Sequence, residues 1–350
     1  VATNNKKLHA ALMARLDVKA ALERVTGQQL GDGNIHCPFP DRHDGGEDTS
    51  PSFSVDADTG KCYCHACGYR ASSVVGLVQE LECDGDYEAA IVKLWNDHVE
   101  PLVPVAEYMA AHSALLGDSP NLLMMQRLRD QRGLLPKTIK KYKIGWKGNR
   151  LWIPVFNEFG LPVDVRKHDV FKRRKKDSPK TISYAKGYGG ARLYPVEALA
   201  ETDVVLCEGE MDTLLARQLG LNAMTITSGG RTMKAAHAKP FRGKRVLVLA
   251  DNDVTGREGA QKKVELLAQA GADAAVVHLP VRERGEDFTD FILKYKGDAD
   301  ALEEYIVDVR EADDLEGGGG AAEVEIDDPL DPDDKEQKQI ARGERMMRLL

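Results

Sequence analysis

The chain contains no run of about 18 consecutive apolar residues, which excludes a membrane-spanning helix, and its start, Val1 to Lys7, lacks the apolar stretch of a secretory leader. Both absences point to a cytoplasmic protein with no membrane partner. Cysteine is scarce too, with six in 350 residues. Four of the six crowd into Cys37 to Cys67 beside histidines, a distribution that suits a metal site in a reducing compartment better than a disulfide framework. Cys83 and Cys207 read as free thiols. No internal repeat is evident, which argues against solenoids and propellers. An excess of positive charge is also missing, since the formal net charge is −8.

That last absence is misleading, because the charge is unevenly placed. Residues 311–334 hold eleven acids and neither Lys nor Arg, and removing those eleven charges from −8 leaves +3 for the rest of the chain. The remainder is mildly basic, so a nucleic-acid partner stays open. With 42% hydrophobic residues over this length, the chain can bury a substantial core divided among two or three domains.

Residues 5–26 read as an amphipathic helix through Leu8, Leu12, Leu16, Ala20 and Val25, and residues 72–98 as another, capped at Ser72 or Ser73. Pro101 and Pro104 mark a linker over 101–118. Leu122 to Gly133 and Pro136 to Tyr142 predict two short helices, and Arg150 to Val155 with Leu161 to Arg166 predict a hairpin turning at Asn157 to Gly160. The pattern then changes. Short apolar runs at Val204 to Cys207, Ala223 to Thr227, Val246 to Ala250 and Ala274 to Leu279 alternate with helical stretches, which predicts a largely parallel sheet covered by helices. Gly317 to Gly320 opens an acidic, Gly-rich tail too polar to build a core. The expected organisation is α/β multidomain: an N-terminal cysteine domain at 1–100, the linker, a mixed α+β basic subdomain at 119–200, an α/β domain at 201–312 with a mainly parallel sheet, and a linker and tail at 313–350.

Three groups of residues carry chemistry. The first is Cys37 with the knuckle Cys64-x-x-Cys67, where two thiolates on one tight turn can share a zinc ion. Cys37 and His43 are assigned as the other pair, with Cys62, His65 and His36 as competitors. Nothing nearby singles out an open coordination position, so a structural zinc is expected.

The second group is acidic. Glu208 ends one apolar strand, with Asp212 a helical turn beyond it, and Asp251-Asn252-Asp253 ends another. Carboxyl ends of strands in an open α/β sheet are where ligands bind, so the clusters can meet in one crevice. Carboxylates pressed together repel unless a hard cation neutralises them, which implies Mg2+ or Mn2+ on Glu208, Asp251 and Asp253 and metal-assisted phosphoryl transfer. Glu286, Asp287 and Asp290 follow the fourth strand, with Asp287 the candidate to complete the site. The third group is basic: Arg166, Lys172, Arg173, Arg174, Lys175, Lys176, Lys180, Lys186 and Arg192, interleaved with Phe171, Tyr184, Tyr188 and Tyr194. Cations neutralise phosphates while aromatic faces stack on bases, without sequence readout.

These features together resemble the DnaG-type replicative primases of bacteria and phages over most of residues 30–310. Cys37-Pro38-Phe39, Pro51-Ser52-Phe53-Ser54-Val55 and Tyr63-Cys64-His65-Ala66-Cys67-Gly68 look like the family's zinc ribbon, which helps select the template start site. Arg132-Gly133-Leu134 and Lys143-Ile144-Gly145-Trp146 are similar to the opening of its RNA-polymerase core. Ser178-Pro179-Lys180-Thr181 and Lys186-Gly187 resemble the basic template and nucleotide ridge. The acidic motifs look like the toprim fold. On that resemblance Glu208 is the catalytic glutamate, Asp212 its helix partner, and Asp251 and Asp253 the metal-binding pair. The chain departs from the family at Pro40, where a histidine usually stands three residues after the first cysteine, and His43 in a longer loop takes that part. The resemblance implies templated RNA primer synthesis from ribonucleoside triphosphates on single-stranded DNA, with structural Zn2+, catalytic Mg2+ or Mn2+, and a replicative helicase fused or recruited. The acids alone would equally serve a toprim nuclease, and a decayed core would leave a non-catalytic single-strand-binding adaptor.

Overall fold

The computed structural model describes residues 2–170, 179–227 and 233–297. The expected tail, Phe171 and the basic run Lys172 to Lys176 lie outside these. Two compact units are present, one of Val1–Leu102 with Phe159–Val163, the other of Val103–Glu158 with Asp164–Leu350.

In the first unit, helices α1 (Ala2–Met13) and α2 (Val18–Thr26) replace the single helix expected over 5–26. The break follows from Asp17, whose carboxylate accepts the Ala20 amide at 3.0 Å and so starts a new helix. Strands β1 (Phe53–Val55), β2 (Cys62–Cys64) and β3 (Arg70–Ala71) form a small antiparallel sheet. The helix expected over 72–98 is also two, α3 (Val74–Glu82) and α4 (Tyr87–His98). Asp84 and Gly85 take left-handed conformations between them (φ 48° and 81°), and Asp86 then caps α4 through the Glu88 and Ala89 amides.

The second unit begins where a linker was expected. Residues 105–116 form α5 (Val105–Leu116), which buries Leu115 and packs Tyr108 and Ala111 into a cluster with Val103, Trp152 and Val165. Pro104 stands at its N-cap, so the proline that reads as a linker marks a helix start instead. Next come α6 (Leu122–Arg132), α7 (Pro136–Lys141) and a four-stranded sheet in the order β4 (Gly145–Lys147), β5 (Arg150–Phe156), β6 (Pro162–His168), β7 (Thr181–Ile182).

The remaining elements are β8 (Leu193–Tyr194), β9 (Asp203–Leu206), α8 (Glu210–Gln218), β10 (Ala223–Ile226), α9 (Ala235–Ala238), β11 (Arg245–Ala250), α10 (Val254–Gln269), β12 (Asp273–His278) and α11 (Phe288–Lys294). The sheet order is β12-β11-β9-β10-β8, with every pairing parallel except β10 with β8. β9 and β10 are buried at every residue, as a parallel sheet covered on both faces requires. Fully buried Val204, Leu206, Met224, Phe241, Val248 and Leu267 form the core beneath it. At about 1.5–3 kcal/mol for each such side chain, this burial fixes where the strand ends stand.

Candidate functional sites

In the first unit, the turn from β2 carries Cys64 to Cys67, with the Cys67 amide directed at the Cys64 sulfur at 3.3 Å. Cys37 Sγ lies 3.9 Å from Cys67 Sγ, and His43 Nε2 lies 3.6 Å from Cys64 Sγ. The four donor atoms of Cys37, His43, Cys64 and Cys67 all fall within 4.8 Å of one another. Zn–S bonds of about 2.3 Å and Zn–N bonds of about 2.0–2.1 Å give tetrahedral edges of about 3.5–3.8 Å, so these separations suit one ion. Burial and the neighbouring thiols push Cys37 up to about 12. Against the opposing effect of burial, the Cys67 amide, Ser52 and the Ala66 amide hold Cys64 down to about 6. Crowded thiols of this kind are relieved by a cation. Of the competing residues, Cys62 is buried apart from the set, while His36 is exposed and bonded to the Asp48 carbonyl at 2.8 Å. His65 packs edge-on against Tyr63.

In the second unit, Glu208 follows β9, Asp251 to Asp253 follow β11, and Asp287 opens α11. These three strand-end segments interlock. The Asn252 amide donates to the Glu286 carbonyl at 2.9 Å and the Gly285 amide to the Asn252 carbonyl at 2.8 Å. Asp212 reaches across from α8 to accept the Thr289 amide at 3.2 Å and hydroxyl at 2.7 Å. Gly256 lets α10 approach the end of β11, since a Cβ there would stand 2.7 Å from the Asp251 carbonyl oxygen. Asp253 caps α10 through the Gly256 amide at 2.6 Å.

The electrostatics record the convergence. Burial, then the facing Asp212, Glu208, Asp287 and Asp253, push Asp251 up to about 8. Burial and Asp212 push Asp287 up to about 7. Burial also raises Asp212, opposed by its bonds to Thr289 and by the charges of Lys180 and Arg132. The carboxylates remain a looser set than the thiols, because among the described residues only the Cys/His group brings three or more donors within 4.8 Å of one another. Buried acids crowded at the ends of parallel strands, with Asp251 and Asp287 raised, are a donor set that fits a hard divalent cation.

Other acids are committed elsewhere. Glu286 accepts from the Arg282 and Glu283 amides, the Tyr295 hydroxyl and Lys294; despite burial, these partners hold it at about 2. Asp290 closes a capping box with Asp287. Glu210 pairs with Arg166 at 3.0 Å and lies 3.3 Å from His168 Nε2; against burial, His168 and Arg166 hold it at about 2.

Arg166 is therefore a correction to the basic ridge. It is 5% exposed, and its guanidinium is taken up by Glu210, by the Ser183 hydroxyl at 2.8 Å and by nearby Asp164, which leaves no free face for a phosphate. Lys180 and Lys186 are exposed, and Arg192 is half-buried. The charge of Lys180 acts on the acid cluster through Asp212.

Two cations act on the acids without having been given that part in the sequence, where Lys263 goes unnamed and Arg132 stands only in the motif Arg132-Gly133-Leu134. Arg132 ends α6, whose following turn is fastened to α8 by the Gln218 side chain on the Gly133 carbonyl at 2.7 Å, and its charge lowers both Asp212 and Asp287. Lys263 is 3% exposed on α10; burial pushes its amine down, while Glu208, Cys207 and Asp251 oppose that shift. Its signal lay in the buried helical spacing Gly256, Gly259, Ala260, Lys263, Leu267.

The described residues combine an α/β unit that carries acids at the ends of a covered parallel sheet with a separate Cys/His set whose donors suit a zinc ion. The comparisons are more particular: a family described as toprim-like matches residues 205–292, the segment that holds every acid of the cluster. The chain is related in sequence to bacterial DNA primases. It is 22% identical to one from Lactococcus lactis over 69% of this chain and 46% of the relative, and 23% identical to one from Staphylococcus aureus over 75% and 53%. It spans about half the length of these relatives. Among solved structures, that of the Aquifex aeolicus primase zinc-binding and RNA polymerase domains is 20% identical with a TM-score of 0.45, over 86% of this chain and 84% of that one.

Proposed function

We propose that the chain is a primase, making short RNA primers on single-stranded DNA by divalent-metal-dependent nucleotidyl transfer. The observation that carries this reading is the interlocked cluster of Glu208, Asp212, Asp251, Asp253 and Asp287, in which burial and the surrounding carboxylates raise Asp251, burial and Asp212 raise Asp287, and Arg132 and Lys180 act on Asp212. Glu208, Asp251 and Asp253 would hold Mg2+ or Mn2+, with Asp287 at the edge of the set. Bound there, the cations would activate a primer hydroxyl and neutralise triphosphate oxygens. Asp212 acts from behind, fixing the start of α11 through Thr289 and so placing Asp287. Lys263 supplies an internal positive charge beside Glu208 and Asp251. Lys180, Lys186 and Arg192, with the run Lys172 to Lys176, would take template and nucleotide phosphates. The Cys37, His43, Cys64 and Cys67 zinc module would contribute to template selection, and a replicative helicase, fused or recruited, is the expected partner.

The test is incorporation of ribonucleotides on a library of single-stranded templates with Mg2+ or Mn2+. Wild-type protein should yield short oligoribonucleotides, and Asp251→Asn should lower the yield by about three powers of ten, the equivalent of several kcal/mol of charge stabilisation. Metal-dependent cleavage of the template without incorporation would instead make the domain a nuclease. Template binding with neither reaction would make it an adaptor.

A further inference from the structure

The zinc module rests on a loop that departs from its family, because the histidine ligand comes six residues after Cys37 and has to be held by something the spacing does not supply. One buried carboxylate does this. Asp48, whose side chain is 6% exposed, accepts the Cys37 amide at 2.6 Å and the Ser52 hydroxyl at 2.9 Å. That hydroxyl oxygen is in turn 3.3 Å from Cys64 Sγ. The other Asp48 oxygen lies 3.7 Å from His43 Nδ1, on the side of the ring opposite the Nε2 that faces Cys64. A single side chain therefore touches the backbone of one ligand, the ring of a second, and a third through Ser52.

We infer that Asp48 is the organising residue of the zinc site: its carboxylate faces His43 Nδ1 and favours the proton on that nitrogen, which leaves Nε2 free for the metal, and it ties the 37–48 loop to the knuckle. The physical reason is general. An imidazole binds a metal through one nitrogen only when the other carries the proton, and a carboxylate at that second nitrogen fixes both tautomer and ring direction and strengthens the ligand. A closed set of three thiolates and one histidine leaves Asp48 no coordination position of its own, and its Oδ2 already accepts the Cys37 amide and the Ser52 hydroxyl. Asp48 thus positions a ligand and does not serve as one.

The inference rests on the zinc reading, and the experiment separates the two. Purified full-length protein is assayed for zinc content, then challenged with a chromophoric chelator while zinc transfer is followed with time. Wild type should carry one zinc, and Asp48→Ala should surrender it about 10–100-fold faster. Asp48→Asn, which keeps the shape and an acceptor oxygen but loses the charge, should fall between them. Wild type without stoichiometric zinc would overturn the zinc reading itself. Wild type with zinc, and variants that release it at the wild-type rate, would overturn the role of Asp48 alone. Should Asp48→Ala fail to fold, the Asn variant decides by the same criterion. Cobalt substitution gives a second readout: the tetrahedral absorption band should weaken in Asp48→Ala if His43 is no longer held, and stay unchanged if Asp48 is a bystander.

Discussion

At the scale of single residues, the acid cluster is held together against its own charge. Asp251 and Asp287 bind protons more tightly in the folded chain than in the unfolded one, at about 8 and about 7. The folded state therefore carries extra protons between the unfolded carboxylate range and about pH 8, and metal-free stability falls as pH rises through that window. On the proposed reading, a divalent cation would take the place of those protons. Thermal unfolding with and without Mn2+ should show a metal-induced gain that is small at pH 5.5 and larger at pH 8. At a concentration about a hundredfold above Kd that gain is about 2.7 kcal/mol, or several degrees. A gain independent of pH would mean the cation binds elsewhere. The acids could be read in the sequence because each sits directly after an apolar strand, a position that local pattern reveals. Arg132, Lys263 and Asp48 could not be read that way, since what they do depends on partners 80, 55 and 11 residues or so away in sequence. Arg166 was misread for the same reason: its charge is plain in the sequence, but its partner Glu210 is brought to it only by folding.

At the scale of elements, the parallel strands were legible because apolar runs of four to six residues with β-branched content have few alternatives. Helix breaks were not. Asp17 and Asp86 look like solvated members of a helical pattern until their carboxylates are seen to accept the next turn's amides. Pro104 reads equally as a linker residue or as a helix start, and only the burial of Tyr108, Ala111 and Leu115 separates the two. The joint between β6 and α8 is likewise made by tertiary contact, through Asp164, Arg166, His168 and Glu210. Removing one partner from such a buried pair leaves a stranded charge. Glu210→Ala should cost about 3–5 kcal/mol in denaturant unfolding, whereas Arg166→Met combined with Glu210→Leu should come closer to neutral. If the single variant matches wild type, the pair contributes nothing to the joint. Mg2+ or Mn2+ affinity should change little in the double variant, which distinguishes Glu210 from a metal ligand.

At the scale of the molecule, the sheet of the second unit and the knuckle of the first differ in what surrounds them. The second has an extended apolar core under a five-stranded sheet, whereas the knuckle of the first stands on strands of three, three and two residues. Such short strands gain little stability on their own, and a zinc on Cys37, His43, Cys64 and Cys67 would supply it as folding free energy. The grouping of Phe159–Val163 with the first unit had no signature in the sequence, because it depends on contacts made far along the chain. Chelation should therefore act on one unit and leave the other standing. In hydrogen exchange on the full chain, removing zinc should strip protection from the Phe53 and Cys64 amides, which close bonds to Ile35 and Tyr69. The amides of Val246 to Ala250 in β11 should keep theirs, because their protection comes from the buried sheet. Adding Mn2+ to the chelated protein after the chelator is removed should still raise the stability of that sheet. Loss of β11 protection along with the knuckle would show that zinc holds the whole chain together, and the acid cluster would then be expected to lose its cation whenever the zinc is withdrawn.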